Sequence, residues 1–106
     1  MRRAARIDSN QPEIVAALRR YGCSVAFTHT VGKGFPDLVV GTCSTNLLFE
    51  IKNPAGKNKI GESQRDFAAT WKGGPVFHAH TVEEALSIIK SVRTVWHAQR
   101  SKNITT

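Results

Sequence analysis

No stretch constrains this chain more than Gly34–Lys52, which reads Gly-Phe-Pro-Asp-Leu-Val-Val-Gly-Thr-Cys-Ser-Thr-Asn-Leu-Leu-Phe-Glu-Ile-Lys. Two runs of β-branched and large apolar residues flank a short polar segment, Cys43–Asn46. That pattern predicts two antiparallel strands joined by a turn. In such a hairpin the start of the first strand lies beside the end of the second, so Asp37 comes next to Glu50. Side chains two apart on a strand share a face, which sets Lys52 alongside Glu50. The second run, with Leu47, Leu48, Phe49 and Ile51, is apolar on both faces, as a covered central strand is. Charged groups at the end of such a strand call for a functional reason. Two carboxylates and an ammonium at one sheet end predict a metal-dependent hydrolytic centre.

The 106 residues, 41% of them apolar, suffice for one small core. No apolar run approaches the roughly 20 residues that span a bilayer, so no membrane-spanning segment is expected. The start, Met-Arg-Arg-Ala-Ala-Arg, is basic but lacks the apolar segment of a secretory signal. Cys23 and Cys43 lack CxxC spacing and read as small hydrophobes in or beside strands, which fits a reducing cytoplasm. Fifteen Lys and Arg against eight Asp and Glu give a net charge of +7. That balance predicts a polyanionic partner, nucleic acid first and an anionic membrane surface second.

Residues 1–9 read as a basic arm, 10–98 as one domain and 99–106 as a frayed polar tail. Ile14, Val15, Leu18 and Tyr21 recur at helical spacing over Asn10–Tyr21, with Gly22 as the stop. Asn10 with Glu13 matches a capping box, and Pro12 suits the first turn. Ser24–Thr30 is strand-like, and Val31–Pro36 is a glycine-bearing loop. After the hairpin, 53–61 is turn-rich and basic. A helix is expected over Glu62–Lys72, burying Phe67, Ala68 and Trp71, then a strand over Val76–Ala79. Thr81 with Glu84 forms a second capping box, opening a helix through Ala85, Leu86, Ile88, Ile89, Val92 and Trp96. The order α-β-β-β-α-β-α predicts an α/β domain with a mixed four-stranded sheet and helices on both faces.

Phe35-Pro36-Asp37 followed by Glu50-Ile51-Lys52, in that element order, resembles the PD-(D/E)xK nuclease superfamily with its restriction-endonuclease-like core. Gly34-Phe35-Pro36-Asp37-Leu38, Glu50-Ile51-Lys52 and Ser63-Gln64 together resemble the small VRR-NUC nucleases, relatives of Holliday-junction resolvases. The resemblance covers roughly residues 11–89. It implies a Mg²⁺-dependent DNA endonuclease, with Mn²⁺ able to substitute, no small-molecule cofactor, and branched or flapped DNA as substrate in replication, repair or recombination. It further implies a homodimer in a bacterial or phage-infected cell. Asp37 and Glu50 would be metal ligands with the backbone carbonyl of Ile51, Lys52 would be catalytic, and Gln64 would approach the site from its helix. Glu13 matches a first-helix glutamate that joins the metal site in resolvase-like members, and the capping role explains it equally well.

The chemistry asks for such residues. Phosphodiester hydrolysis needs an activated water and charge neutralisation at phosphorus, which a hard cation held by one or two carboxylates can supply. Two carboxylates about 4 Å apart repel by roughly 4 kcal/mol at an effective dielectric of 20, so such a pair wants a cation nearby. Lys52 suits a role in orienting or deprotonating water, or in steadying the phosphate. Phosphate contacts are expected from Lys33, Lys57, Lys59, Arg65 and the arm residues Arg2, Arg3 and Arg6. His29, on the strand before the hairpin, is a candidate for the site or for DNA. His78 and His80 share a strand face and read as structural, and neither they nor His97 show zinc-type spacing. The competing function is a catalytically silent, basic DNA-binding module on the same fold.

Overall fold

A computed structural model of the chain describes residues 9–53 and 61–104. In order these form α1 (Gln11–Arg20), β1 (Ser24–Phe27), β2 (Leu38–Thr42), β3 (Thr45–Ile51), α2 (Glu62–Thr70), β4 (Val76–Ala79) and α3 (Val82–Ile104). The sheet runs β1-β2-β3-β4, antiparallel for the first two pairings and parallel between β3 and β4. The expected α/β class, element order and mixed four-stranded sheet are all present.

The β2–β3 hairpin is tighter than the sequence suggests. Thr42 pairs with Thr45, leaving a two-residue turn of Cys43 and Ser44 with φ of 51° and 59°. Two consecutive left-handed residues match the twist of the flanking strands, which is why short hairpins adopt this turn. Asn and Gly usually fill it. The pair Cys-Ser carries no such signal, and the segment reads as four residues from sequence.

Strand alternation divides the sheet. Leu38, Val40, Leu47, Phe49 and Ile51 point to one face, where they pack with Ile14, Leu18, Ala85 and Ile89 of α1 and α3 into the core. Arg93 clamps that layer: its guanidinium donates to Thr42 Oγ1 (3.1 Å) and the Tyr21 carbonyl (2.8 Å) and lies 4.5 Å from the Tyr21 ring centroid. Cys23 is buried in the core cluster. Burial pushes its thiol pKa up despite the nearby Arg93, and both cysteines are free.

Several boundaries and roles differ from expectation. β1 stops at Phe27, and His29 lies in the following turn. α2 ends at Thr70 and contains no buried residue. Phe67 is only half-buried, Ala68 is exposed, and Trp71 is 46% exposed. The expectation that all three are buried fails because α2 lies over a cleft rather than flat on the sheet. Residues 99–104 continue α3 instead of fraying. The second capping box forms as expected, with Thr81 Oγ1 accepting from Glu84 N (3.1 Å). The first does not. Asn10 has helical backbone angles and makes no side-chain cap bond, because its amide is committed to the strand ends.

Candidate active site

Gly34 and Pro36 set the entrance to β2. Gly34 has φ +79°, and a Cβ there would lie 2.1 Å from the Ser63 carbonyl oxygen. Only glycine lets this loop meet the first turn of α2 so closely. Thr28 fastens the next residues, its N–H donating to the Asp37 carbonyl (2.8 Å) and its hydroxyl to that of Pro36 (2.8 Å).

Asp37 is thereby held just before β2. Leu38 pairs with Phe49, and one further step of that register sets Asp37 opposite Glu50. Asp37 Oδ2 accepts from Ile51 N at 2.8 Å. Satisfying a backbone donor is the structural alternative for such an Asp, and it is part of what Asp37 does. That bond occupies one of about four acceptor positions on a carboxylate.

Glu50 and Lys52 are 5% and 8% exposed, so neither belongs to a solvated edge pair. Lys52 Nζ lies 3.8 Å from Glu50 Oε2. Gln64 closes the group from α2: Nε2 donates to Glu50 Oε2 at 2.5 Å, while Oε1 accepts from Gly61 N at 3.1 Å and Lys52 Nζ at 3.5 Å. Gln64 is the third residue of α2, so its bond to Gly61 is half of a capping box and fixes the orientation of the amide. The other end of the same amide then reaches the buried acid.

Two residues lie at this site that the sequence reads as structural, Asn10 as a helix cap and His78 as a strand residue. Asn10 Nδ2 donates to the carbonyls of Lys52 (2.9 Å) and His80 (2.7 Å), pinning the ends of β3 and β4 to the start of α1. His78 pairs in register with Glu50 and lines a cleft of about 440 Å³ with Glu50, Gln64, Arg65, Pro36 and Phe67. Although His78 is exposed as a residue, partial desolvation of its ring in the cleft, then the positive charge of Lys52, holds its imidazole below the ordinary histidine pKa. The recurrence of His78 and His80 at strand spacing was the available signal. Only the parallel register reveals that Glu50 is the neighbour.

Other expected residues fall elsewhere. Glu13 is exposed on the first turn of α1. Among the described residues no three His, Cys, Asp or Glu are grouped to hold a metal, so Glu13 does not complete a triad with Asp37 and Glu50. His29 is edge-on to Phe27 at 6.4 Å and is not among the residues lining the cleft. His97 is exposed and edge-on to Trp96 at 5.0 Å. Lys33 and Arg65 are exposed near the site, on the loop before Gly34 and on α2. Lys57, Lys59, Arg2, Arg3 and Arg6 lie outside the described residues.

The donor set is selective. A zinc cage uses three or four nitrogen and sulfur ligands, which the described residues do not assemble. A hard cation that keeps several of its waters needs only one or two carboxylates, the number Asp37 and Glu50 supply.

Comparison with protein-family models, characterised proteins and solved structures finds no match. The resemblance to the PD-(D/E)xK nucleases is thus one of sequence motifs alone, Gly34–Leu38, Glu50–Lys52 and Ser63–Gln64. No helix among the described residues is long and apolar enough to cross a membrane.

Proposed function

We propose that this protein is a metal-dependent endonuclease that hydrolyses DNA phosphodiesters, with the PD-(D/E)xK arrangement that its sequence resembles. The observation that carries the reading is the buried Glu50–Lys52 pair bridged by Gln64, beside Asp37, at one end of the sheet. Burying an acid and an amine costs several kcal/mol per ion before pairing, and the pairing here is loose, at 3.8 Å.

Asp37, Glu50 and the Ile51 carbonyl would hold Mg²⁺, with Mn²⁺ as a substitute. Bound there, the cation lowers the pKa of a water and neutralises charge on the scissile phosphate. Gln64 holds Glu50 in one orientation. Lys52 Nζ steadies the attacking water or the phosphate oxygen on which charge develops. Lys33 and Arg65, with the basic residues of the arm and the 53–61 segment, would contact the DNA backbone. Branched or flapped substrates and a homodimer are what the resemblance to junction resolvases implies, because one centre per chain cuts one strand at a time.

The silent DNA-binding module remains the alternative, and the site weighs against it. A module that only binds a polyanion gains nothing from a buried carboxylate facing it. The two are separated by a cleavage assay with Mg²⁺ or Mn²⁺ on linear, nicked, flap and four-way DNA. Lys52→Ala should retain metal and DNA binding while cleavage falls about 10²- to 10⁴-fold. Asp37→Ala should lose metal binding and cleavage together. Undiminished nicking by either purified variant, with contaminating nucleases excluded, would defeat the assignment.

A further inference from the structure

Phosphate chemistry does not account for most of the cleft beside Glu50. Apart from Glu50, Gln64, Arg65 and His78, its lining is Pro36, Phe67, Val76 and the small residues of α2 and the loop. A hydrated cation and a phosphodiester gain nothing from an apolar wall. At about 440 Å³ the cleft lies within the roughly 300–1,000 Å³ typical of small-ligand sites.

The aromatic groups around it point the same way. Phe67 and Trp71 stack with centroids 4.8 Å apart and planes at 20°. Phe35 stands edge-on to both, at 5.2 and 6.2 Å. Phe67 lines the cleft, and Trp71 carries the platform on toward Leu48 and Pro75. A tryptophan left 46% exposed just past the end of a helix with no buried residue contributes little to the core. Charge selects the occupant. The chain is +7, with Arg65 in the lining and exposed Lys33 and Lys72 flanking the aromatics. Glu62 and Asp66 offset this only in part. Bases within a duplex are stacked and enclosed, whereas a single strand offers every base face to an aromatic platform.

We propose that the cleft between α2 and the sheet binds an unstacked nucleobase of a single-stranded segment. Phe67, backed by the Trp71 ring stacked on it, forms the stacking wall of the cleft, and Arg65 lies against the adjoining backbone. This rests on the nucleic-acid part of the function proposed above, and it assigns the centre at Glu50 a preference for unpaired nucleotides beside the cut.

The test is made without divalent metal, in chelator, so that binding is read apart from cleavage. Trp96→Phe leaves Trp71 as the sole tryptophan. An oligothymidylate of about a dozen nucleotides should quench its emission, and a blunt duplex of equal length should quench it far less. Trp71→Ala and Phe67→Ala should each weaken single-strand affinity about five- to a hundredfold and leave duplex affinity nearly unchanged, while Trp71→Phe keeps most of the single-strand affinity. Unchanged Trp71 emission at saturating oligonucleotide would overturn the site. So would an equal loss of single-strand and duplex binding. Conversion of a dimer to a monomer by Trp71→Ala, with DNA binding intact, would overturn it in favour of a second copy as the occupant. Should an alanine variant fail to fold, quenching in the Trp96→Phe protein decides alone. Quenching without cleavage on any substrate would sink the endonuclease and leave the base site standing, and the reverse result would do the opposite.

Discussion

Gly34 shows how much of this site depends on a residue with no side chain. Alanine there would adopt a strained left-handed backbone, at about 1–3 kcal/mol. Its Cβ would also meet the Ser63 carbonyl, one residue before Gln64. Backbone cannot step aside as the end of a lysine can. Gly34→Ala should therefore lower stability in urea denaturation, and it should lower cleavage by more than the loss of folded protein explains, because Gln64 is carried away from Glu50. That Asp37, Glu50 and Lys52 gather at one sheet end was legible because strand alternation is a local rule, whereas Gln64 was marked only by the motif resemblance. The role of Asn10 was not legible. Its side chain was expected to cap α1, but it bonds to carbonyls 42 and 70 residues away, and nothing local predicts where those strands end.

Among the elements, α3 is marked in sequence by the capping residues at its start, and that start is testable. The N–H of His80 donates to Glu84 Oε1 at 2.6 Å, with the imidazole Nδ1 of His80 3.0 Å from the same oxygen. These bonds, the backbone one foremost, hold the Glu84 carboxyl below its ordinary pKa. In the unfolded chain the carboxyl keeps its usual affinity for protons. The stabilisation is therefore complete above the ordinary carboxylate range and drains away as pH falls through the lowered native value. Glu84→Gln should lower the urea midpoint slightly near neutrality, because the carboxyl is half exposed and solvent screens its bonds, and its midpoint should converge with that of the parent protein in acid. A gap that persisted or widened at low pH would refute this origin. The other elements were legible in proportion to their burial. α1, β2 and β3 bury regular apolar faces and fall where the periodicity puts them. α2 carries the same apolar spacing but spans a cleft, and helical periodicity reports only which side is apolar, not whether anything covers it.

For the molecule as a whole, charge and topology make separate statements. With a net charge of +7, association with duplex DNA should weaken with salt at a log–log slope of about −0.9 per phosphate neutralised. A titration across ionic strength that left affinity unchanged would rule out backbone contacts as its source. The topology has a consequence for heat. The candidate site joins two layers of unequal tenacity: β2 and β3 are locked into the core with α1 and α3, whereas Gln64 arrives on a helix with no buried residue. Local opening costs least where few apolar groups are buried. Amide hydrogens of α2 should thus exchange well before those of β3, and warming should detach Gln64 from Glu50 while the sheet is still intact. Cleavage measured against temperature would then peak and fall below the melting point read by circular dichroism, so that the catalyst fails before the protein does.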